Sequence, residues 1–415
     1  MRLAVSAPDR LDVRTVEIDD PGDLISCLPH PSALAWVRHG EGLVGWGEAA
    51  RLSVPAGPDR FTAVQDLLAE LFGGARVDDP LDVPGSGPVA FGSFAFDPDS
   101  GDSVLIVPRR VVGRRGGRAW LTTIGEASGP VARPVESADP LTAPSRLSWS
   151  DGALSAPRWE RAVAAAVRDI RAGRLGKVVL ARDLFAQADE PIDARVLLAR
   201  LAERFPACYT FACGGLVGAT PELLIRRTGD EVESLVLAGT TARGADPDED
   251  AERAARLVAS AKDREEHAYA ARMVRESLAP LCAELSVPDD PRVLTLPNVM
   301  HLASPVLGRL HGERSVLDVV EALHPTPAVC GTPTDRALEL IGRLEGMDRG
   351  RYAGPVGWVD ARGDGEWGIA LRCAELDGTR ARLFAGCGIV ADSDPAAELA
   401  EAQSKFRVMR YALEG

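Results

Sequence analysis

A hairpin near the end of the chain constrains its fold more than any other feature. The runs 367–375 and 380–385 read as strands, and the Asp377-Gly378 pair between them is typical of a tight hairpin turn. Strands joined in this way pair antiparallel. Because long helical patterns such as 248–285 accompany strands of this kind, we expect an α+β fold rather than a doubly wound parallel sheet.

Net charge and composition exclude several classes of function. The 415 residues carry a formal net charge of −14, which disfavours binding to nucleic-acid phosphates or to anionic membranes. There is no run of about 18 apolar residues, and the N-terminus lacks the apolar core of a signal peptide. The seven cysteines contain no Cys-x-x-Cys pair, as expected of a protein with reduced thiols. We therefore expect a cytoplasmic protein that binds neither nucleic acid nor membrane.

A glycine turn followed by a helix is the most distinctive local pattern. Gly386 and Gly388 end an apolar run, and a helix is predicted to begin at Pro395 after an N-cap at Ser393 or Asp394. Three charged side chains, spaced three and four residues apart, project from one face of this helix: Glu398, Glu401 and Lys405. An apolar stripe beside them would dock the helix on the core. The pattern predicts a ligand site built on a rigid element.

A second carboxylate pair, Asp263 and Glu266, is spaced three residues apart on the helix predicted over 248–285. For any single pair of this kind, a solvated helix face is the commoner explanation. Two such pairs on two helices would suit Mg²⁺, which takes one or two protein carboxylates and completes its shell with water and an anionic substrate. The spacing leaves open whether the two helices meet.

Two further residues are candidates for proton transfer. Lys177 opens a predicted strand over 177–182, and Glu222 follows a turn proline just ahead of another apolar strand. A lysine that reaches water and a capping carboxylate are the commoner interpretations. In a partly buried site, Lys177 could act as a general base in its neutral form, and Glu222 as a general acid if apolar surroundings keep it protonated.

A series of segments across 157–411 resembles the chorismate-utilising enzymes, the family of isochorismate, salicylate, anthranilate and aminodeoxychorismate synthases. Each segment alone is a weak signal, and the ordered set carries the resemblance. The segments are Lys177-Val-Val-Leu-Ala-Arg182, Thr220-Pro-Glu-Leu-Leu224, Leu237-Ala-Gly-Thr240, Lys262-Asp-Arg-Glu-Glu-His267, His301-Leu-Ala-Ser-Pro305, His324-Pro-Thr-Pro-Ala328, Tyr352-Ala-Gly-Pro-Val-Gly-Trp358, Leu371-Arg-Cys-Ala374, Phe384-Ala-Gly-Cys-Gly-Ile-Val390 and Ala397-Glu-Leu-Ala-Glu-Ala-Gln-Ser-Lys405.

The resemblance implies one large domain over 1–415 that is similar to component I of anthranilate synthase. In that fold, antiparallel sheets pack face to face and helices lie outside. The motif-bearing region is 157–411, and the divergent residues 1–150 would complete the same fold without contributing a recognisable motif. Residues 125–157 are rich in Pro, Ser, Ala and Gly and read as a linker or long loop.

Residue roles follow from the same resemblance. Lys177 would be the general base that activates water, because the ammonia-using members typically carry glutamine there, and Glu222 would be the general acid. Four carboxylates would form the Mg²⁺ site, the first two as ligands and the others in support: Glu266, Glu401, Asp263 and Glu398. The remaining positions would bind chorismate or line its site: Gly239, Thr240, His301, Ala328, Tyr352, Arg372, Gly386, Gly388 and Lys405.

The activity that the resemblance implies is Mg²⁺-dependent conversion of chorismate to isochorismate, an isomerase reaction. Ala328 stands where salicylate-forming members tend to have threonine, whereas Tyr352 fits both branches. A salicylate synthase is therefore the alternative, and an ammonia-using synthase a more distant one. We expect a monomer without a glutamine amidotransferase subunit. The sequence leaves open whether the product serves menaquinone or siderophore biosynthesis.

Overall fold

The computed structural model describes residues 4–6, 10–101, 103–125, 139–295 and 299–415. These ranges contain eight α-helices: α1 (Arg60–Gly73), α2 (Ala156–Arg171), α3 (Ala194–Arg204), α4 (Pro247–Ala259), α5 (Ala261–Leu278), α6 (Val316–Leu323), α7 (Thr334–Leu344) and α8 (Pro395–Glu414). None of these described helices is both long and apolar enough to cross a membrane.

Strands make up most of the remaining regular structure. In chain order they are β1 (Ala4–Ser6), β2 (Asp12–Ile18), β3 (Leu34–Arg38), β4 (Glu41–Trp46), β5 (Ala50–Val54), β6 (Arg76–Asp78), β7 (Val89–Ser93), β8 (Ser103–Val107), β9 (Arg110–Arg115), β10 (Arg118–Gly125), β11 (Ser148–Asp151), β12 (Lys177–Gln187), β13 (Tyr209–Cys213), β14 (Leu216–Thr220), β15 (Leu223–Thr228), β16 (Glu231–Ala242), β17 (Cys282–Ser286), β18 (Arg292–Thr295), β19 (Val299–Leu310), β20 (Gly331–Thr332), β21 (Pro355–Asp360), β22 (Gly365–Ile369), β23 (Cys373–Asp377) and β24 (Arg380–Ile389).

The strands form two large sheets. The first runs β1-β5-β8-β7-β21-β22-β15-β16-β19-β17, with β18 also paired to β19. The second runs β11-β12-β24-β23-β14-β13-β3-β4-β9-β10-β2-β6, with β20 also paired to β12. The pairs that build the site are antiparallel, whereas β2 and β6 at the far edge are parallel.

The two sheets pack face to face around a shared core. Trp36 and Phe211 of the second sheet and Trp358 and Trp367 of the first are each at most 1% exposed. Trp36 reaches the first sheet so closely that a Cβ atom on Gly368 would lie 2.9 Å from its ring. Helices α5 and α6 contact the first sheet, and α2, α3 and α8 contact the second. The predicted α+β class with packed antiparallel sheets is confirmed.

Strands from the first 150 residues enter both sheets, and the buried apolar cluster runs from Leu11 to Leu413. The motif-free part of the chain therefore shares its core with the motif-bearing part. Of the linker predicted over 125–157, residues 126–138 lie outside the described residues. Residues 148–151 are not a loop, because they form β11 and pair with β12.

Two predicted elements are each divided in the structure. The helix predicted over 248–285 becomes α4, α5 and the strand β17. Ser260 interrupts it because its backbone is extended and its hydroxyl accepts a hydrogen bond from the Asp263 N–H at 3.2 Å, which caps α5. The strand predicted over 367–375 becomes β22 and β23, which belong to different sheets. Arg372 therefore lies on a crossover and not in a hairpin strand as predicted.

Candidate active site

The candidate site lies where the chain passes from the first sheet to the second. In the crossover between β22 and β23, Arg372 adopts a φ of 50°. Ala353, on a neighbouring loop, has a φ of 62°, and its N–H donates to the Ala370 carbonyl at 2.9 Å. Left-handed backbone is unfavourable for residues with a Cβ atom, and such strain concentrates at functional sites. Arg372 and Ala353 line the same cavity.

This cavity brings together segments that are far apart in the sequence. Its walls come from β12, β24, α8 and the loops that precede β20 and β21, with apolar surface from Val179, Val329 and Phe384. Six of the predicted substrate-binding residues line it: Ala328, Tyr352, Arg372, Gly386, Gly388 and Lys405.

The two glycines of β24 let other side chains approach the strand closely. A Cβ atom on Gly386 would lie 3.0 Å from the Tyr352 hydroxyl, and one on Gly388 would lie 3.0 Å from Lys177 Cε. Tyr352 stacks on Phe384 with ring centroids 5.0 Å apart, and burial raises the pKa of its hydroxyl. Lys177, the first residue of β12, is partly buried. The lysine and the neutral tyrosine therefore lie side by side along one strand face.

Lys405 is held at the other side of this strand by two contacts. Its Nζ donates to the Gly386 carbonyl at 2.7 Å and forms an ion pair with Glu401 at 2.8 Å. Lys405 therefore lies beside Gly386, as predicted. Gly386 and Gly388 do not form the predicted turn, because both lie within β24 and pair with β12. The amine adds positive charge to a cavity within a protein that is net acidic.

Glu222 directly precedes β15 and is half-buried. Burial raises the pKa of Glu222 to about 7, and the positive charges of Arg372 and Lys177 offset part of that effect. The carboxyl is therefore close to half protonated at neutral pH. Arg372 and Lys177 are thus the cations whose charges act on Glu222.

His301 belongs to the first sheet and is half-buried at this site. It lies in β19 opposite Thr240, and burial lowers its pKa to about 4, with further lowering by the charges of Arg372 and Lys405. A hydrogen bond with the Gly239 backbone offsets part of the shift. The imidazole is therefore neutral at physiological pH, and it lies within the field of the crossover residue Arg372 and of Lys405 on α8.

A bulge in β16 brings α5 close to the strand. Gly239 has a φ of 76°, and a Cβ atom on it would lie 3.1 Å from Asp263 Cβ. His267 anchors the helix, since its Nε2 lies 2.8 Å from Ser304 Oγ and its Nδ1 lies 3.3 Å from the Ala238 carbonyl. The sequence interpretation missed this anchor, although a histidine directly after the predicted ligand Glu266 was its signal. The side chains of Thr240 and Glu266 lie outside the described residues.

The carboxylates of α8 form a compact group. Ligand atoms of Glu398, Glu401 and Cys387 lie within 4.8 Å of one another. Ser393 Oγ donates to Glu398 at 2.7 Å, which fixes that carboxylate. Burial raises the pKa of the Cys387 thiol, so the sulfur stays neutral and suits a hard cation poorly. The two carboxylates of α8 are suitable ligands for Mg²⁺. The described atoms of Asp263 are not part of this group. That the carboxylates of α5 and α8 bind one Mg²⁺ ion together stays a prediction.

Comparison with known proteins identifies relatives of this chain. The Bacillus subtilis isochorismate synthase DhbC is 46% identical over 253 residues, which cover 58% of this chain and 64% of that relative. A Pseudomonas aeruginosa protein named as a salicylate biosynthesis isochorismate synthase is 36% identical over 413 residues, covering 92% of this chain and 84% of that protein.

Solved structures show the same architecture. The menaquinone-specific isochorismate synthase MenF of Escherichia coli superposes with a TM-score of 0.81 at 26% identity, covering 99% of this chain and 96% of that one. Component I of anthranilate synthase from Streptococcus pneumoniae, with a TM-score of 0.69 at 24% identity over 91% of each chain, shows the fold alone. The sequence model of the chorismate binding enzyme family matches residues 35–414. The resemblance drawn from the motifs is confirmed, and this chain belongs to the chorismate binding enzyme family.

Proposed function

We propose that this protein is an isochorismate synthase, with Lys177 as general base and Glu222 as general acid. Two observations together carry the proposal: Lys177 lies against the glycines of β24, and the half-buried Glu222 has a pKa raised to about 7. In one displacement reaction, a base can remove a proton from the attacking water while an acid protonates the leaving hydroxyl group. Curated relatives named as isochorismate synthases support the same reaction class.

In the proposed reaction the protons and hydroxyl groups balance. Lys177 takes a proton from a water molecule as its oxygen bonds to ring carbon C2 of chorismate. The ring double bonds shift, the C4 hydroxyl leaves, and Glu222 gives that hydroxyl its proton. One hydroxyl is added and one lost, so the product is an isomer. Proton exchange with solvent then returns both side chains to the states in which the cycle began.

Substrate binding must rely on local positive charge, because chorismate is a dianion and the protein carries a formal charge of −14. Arg372, the neutral Tyr352 hydroxyl and the backbone of Gly386 and Gly388 would hold the enolpyruvyl carboxylate. The ring carboxylate would lie at Gly239 and Thr240. Glu266 and Glu401, supported by Asp263 and Glu398, would hold Mg²⁺, which would supply charge neutralisation for a substrate carboxylate. We propose a cytoplasmic monomer that works without an amidotransferase subunit, since water replaces ammonia.

Product analysis tests the proposal directly. Purified protein should convert chorismate to isochorismate in the presence of Mg²⁺ and without ammonia, as separated by chromatography. Lys177→Gln is the matched control, because the amide keeps a similar shape and cannot accept the proton. Formation of fluorescent salicylate with pyruvate would instead establish a salicylate synthase. Turnover that requires ammonium would assign the protein to the ammonia-using branch and overturn the role of Lys177.

A further inference from the structure

Along one edge, the middle of β12 pairs with none of the described strands. On that edge β20 pairs with residues 177–178 and β11 with residues 184–187, while β24 covers the opposite edge from Val178 to Gln187. Among the described strands none pairs with the gap between them. The buried N–H and C=O groups in this gap therefore need other partners, because leaving them without hydrogen bonds is costly.

Two charged side chains take the place of the missing strand. Arg349 donates from Nη2 to the Val179 carbonyl at 2.7 Å, and Glu345 Oε1 accepts from the Ala181 N–H at 2.7 Å. The other Val179 group is also satisfied, since its N–H donates to the Cys330 carbonyl at 2.7 Å. Side chains thus supply hydrogen-bond partners for the backbone of β12 where this strand lines the cavity.

Glu345 and Arg349 form a buried, two-pronged ion pair. Arg349 Nη2 lies 2.6 Å from Glu345 Oε1, Nε lies 2.9 Å from Oε2, and the two side chains are 2% and 1% exposed. Arg349 Nη1 donates to the Val329 carbonyl at 2.8 Å. The guanidinium lies 4.3 Å from the centre of the Phe96 ring, which comes from the N-terminal third of the chain. One planar group therefore joins two walls of the cavity, Val179 and Val329.

We propose that Glu345 and Arg349 are positioning residues for the reaction. They hold β12, which carries Lys177, at a fixed separation from the loop that carries Ala328 and Val329. The inference rests on the proposed function for its kinetic consequences. The guanidinium binds Val179, Val329 and Glu345 at once in a rigid fork, which a lysine ammonium on a flexible stem cannot reproduce. Small displacements of a catalytic group reduce the rate strongly without abolishing binding.

The kinetic test uses Arg349→Lys and Glu345→Gln. We expect kcat per folded molecule to fall about 10- to 100-fold while KM for chorismate changes less than about threefold. Arg195→Lys is the matched control, since Arg195 also forms a buried ion pair, with Asp193, and donates to the Pro29 carbonyl at 2.8 Å away from the cavity. This control should lower Tm without changing kcat. A kcat within twofold of wild type in both test variants would show a structural role alone and overturn the proposal.

Amide exchange gives a readout that needs no activity. If the fork holds the loop against β12, the Val179 N–H, which donates to Cys330, should exchange faster in Arg349→Lys and in Glu345→Gln, and remain protected in Arg195→Lys. Unchanged protection of Val179 in both test variants would contradict the positioning role. Should Arg349→Lys fail to fold, Glu345→Gln decides the question, because it keeps the shape of the side chain. A wild type that forms no isochorismate would overturn the proposed function and leave the exchange test intact.

Discussion

Glu222 and Glu366 lie close to each other along two paired strands of the first sheet, and their pKa values shift in opposite directions. Glu222 directly precedes β15, and Glu366 lies in β22 opposite Arg226 of β15. Burial raises the pKa of Glu222 to about 7 despite the charges of Arg372 and Lys177. Burial also disfavours the charged form of Glu366, but Arg226 and Arg115 outweigh it, and the pKa of Glu366 is lowered.

The difference between the two carboxyls lies in their direct partners. Glu366 Oε2 accepts from Trp36 Nε1 at 2.9 Å, and Oε1 lies 3.1 Å from Arg226 Nε and also accepts from Arg115. Trp36 and Arg115 belong to the second sheet, so an ionised Glu366 fastens the sheets together. Glu222, with a pKa of about 7, is partly protonated at neutral pH and can donate that proton. A glutamate that is paired with cationic donors stays ionised and stabilises the fold. A glutamate whose pKa is raised because desolvation outweighs nearby positive charge can act as a general acid.

The largest effect we expect is on turnover in Glu222→Gln. The amide keeps the size of the side chain and has no acidic proton, so kcat should fall by about 10²–10⁴-fold. Isochorismate formation at saturating chorismate measures it. In the wild type, activity should decline as pH rises through about 7, because Glu222 loses its proton there. A variant that retains more than a tenth of the wild-type kcat would remove Glu222 as general acid.

Glu366→Gln should chiefly reduce stability. Removing one partner of a buried ion pair leaves Arg115 and Arg226 without their counter-charge, which costs roughly 3–5 kcal/mol of unfolding free energy. Urea unfolding at pH 7 measures it, with kcat per folded molecule unchanged. Because the pKa of Glu366 is lowered from 4.5, its ionised form stabilises the protein above that value. The difference between wild type and variant should therefore shrink as the pH falls below about 4.5.

Glu222→Gln should have the opposite effect on stability. Since folding raises the pKa of Glu222 from 4.5 to about 7, the folded state favours the proton, and stability is lost as pH rises between these values. At pH 8 the variant should exceed the wild type by up to about 3 kcal/mol, and at pH 4 the two should be nearly equal. Urea unfolding at both pH values measures it. Equal stability at pH 8 would mean that burial does not set the state of Glu222.

Local patterns in the sequence predicted the features that depend only on neighbouring residues, such as helix caps and tight turns. Asp394 caps α8 as one of the two predicted candidates, and Gly378 takes a φ of 56° in the predicted hairpin. The sequence could not predict contacts between segments that only the fold brings together. The crossover at Arg372 reads as part of an apolar strand, because the change of sheet has no local signal. In the sequence, Glu345 is an ordinary residue at a helix end. Its contact with the Ala181 N–H of β12 is visible only in the folded structure.

The smallest stability effect is expected for Glu401, a third carboxylate whose side chain is 54% exposed and paired with Lys405 at 2.8 Å. Exposed ion pairs contribute little, so Glu401→Gln should change the unfolding free energy by about 1 kcal/mol or less. If Glu401 binds Mg²⁺, the variant should need at least about tenfold more Mg²⁺ for half-maximal activity. Arg410→Gln, which breaks the exposed pair with Glu414 on the same helix, is the control and should leave the Mg²⁺ requirement unchanged. An unchanged Mg²⁺ titration in Glu401→Gln would exclude Glu401 from the metal site. Its carboxylate would then act only as the ion-pair partner of Lys405.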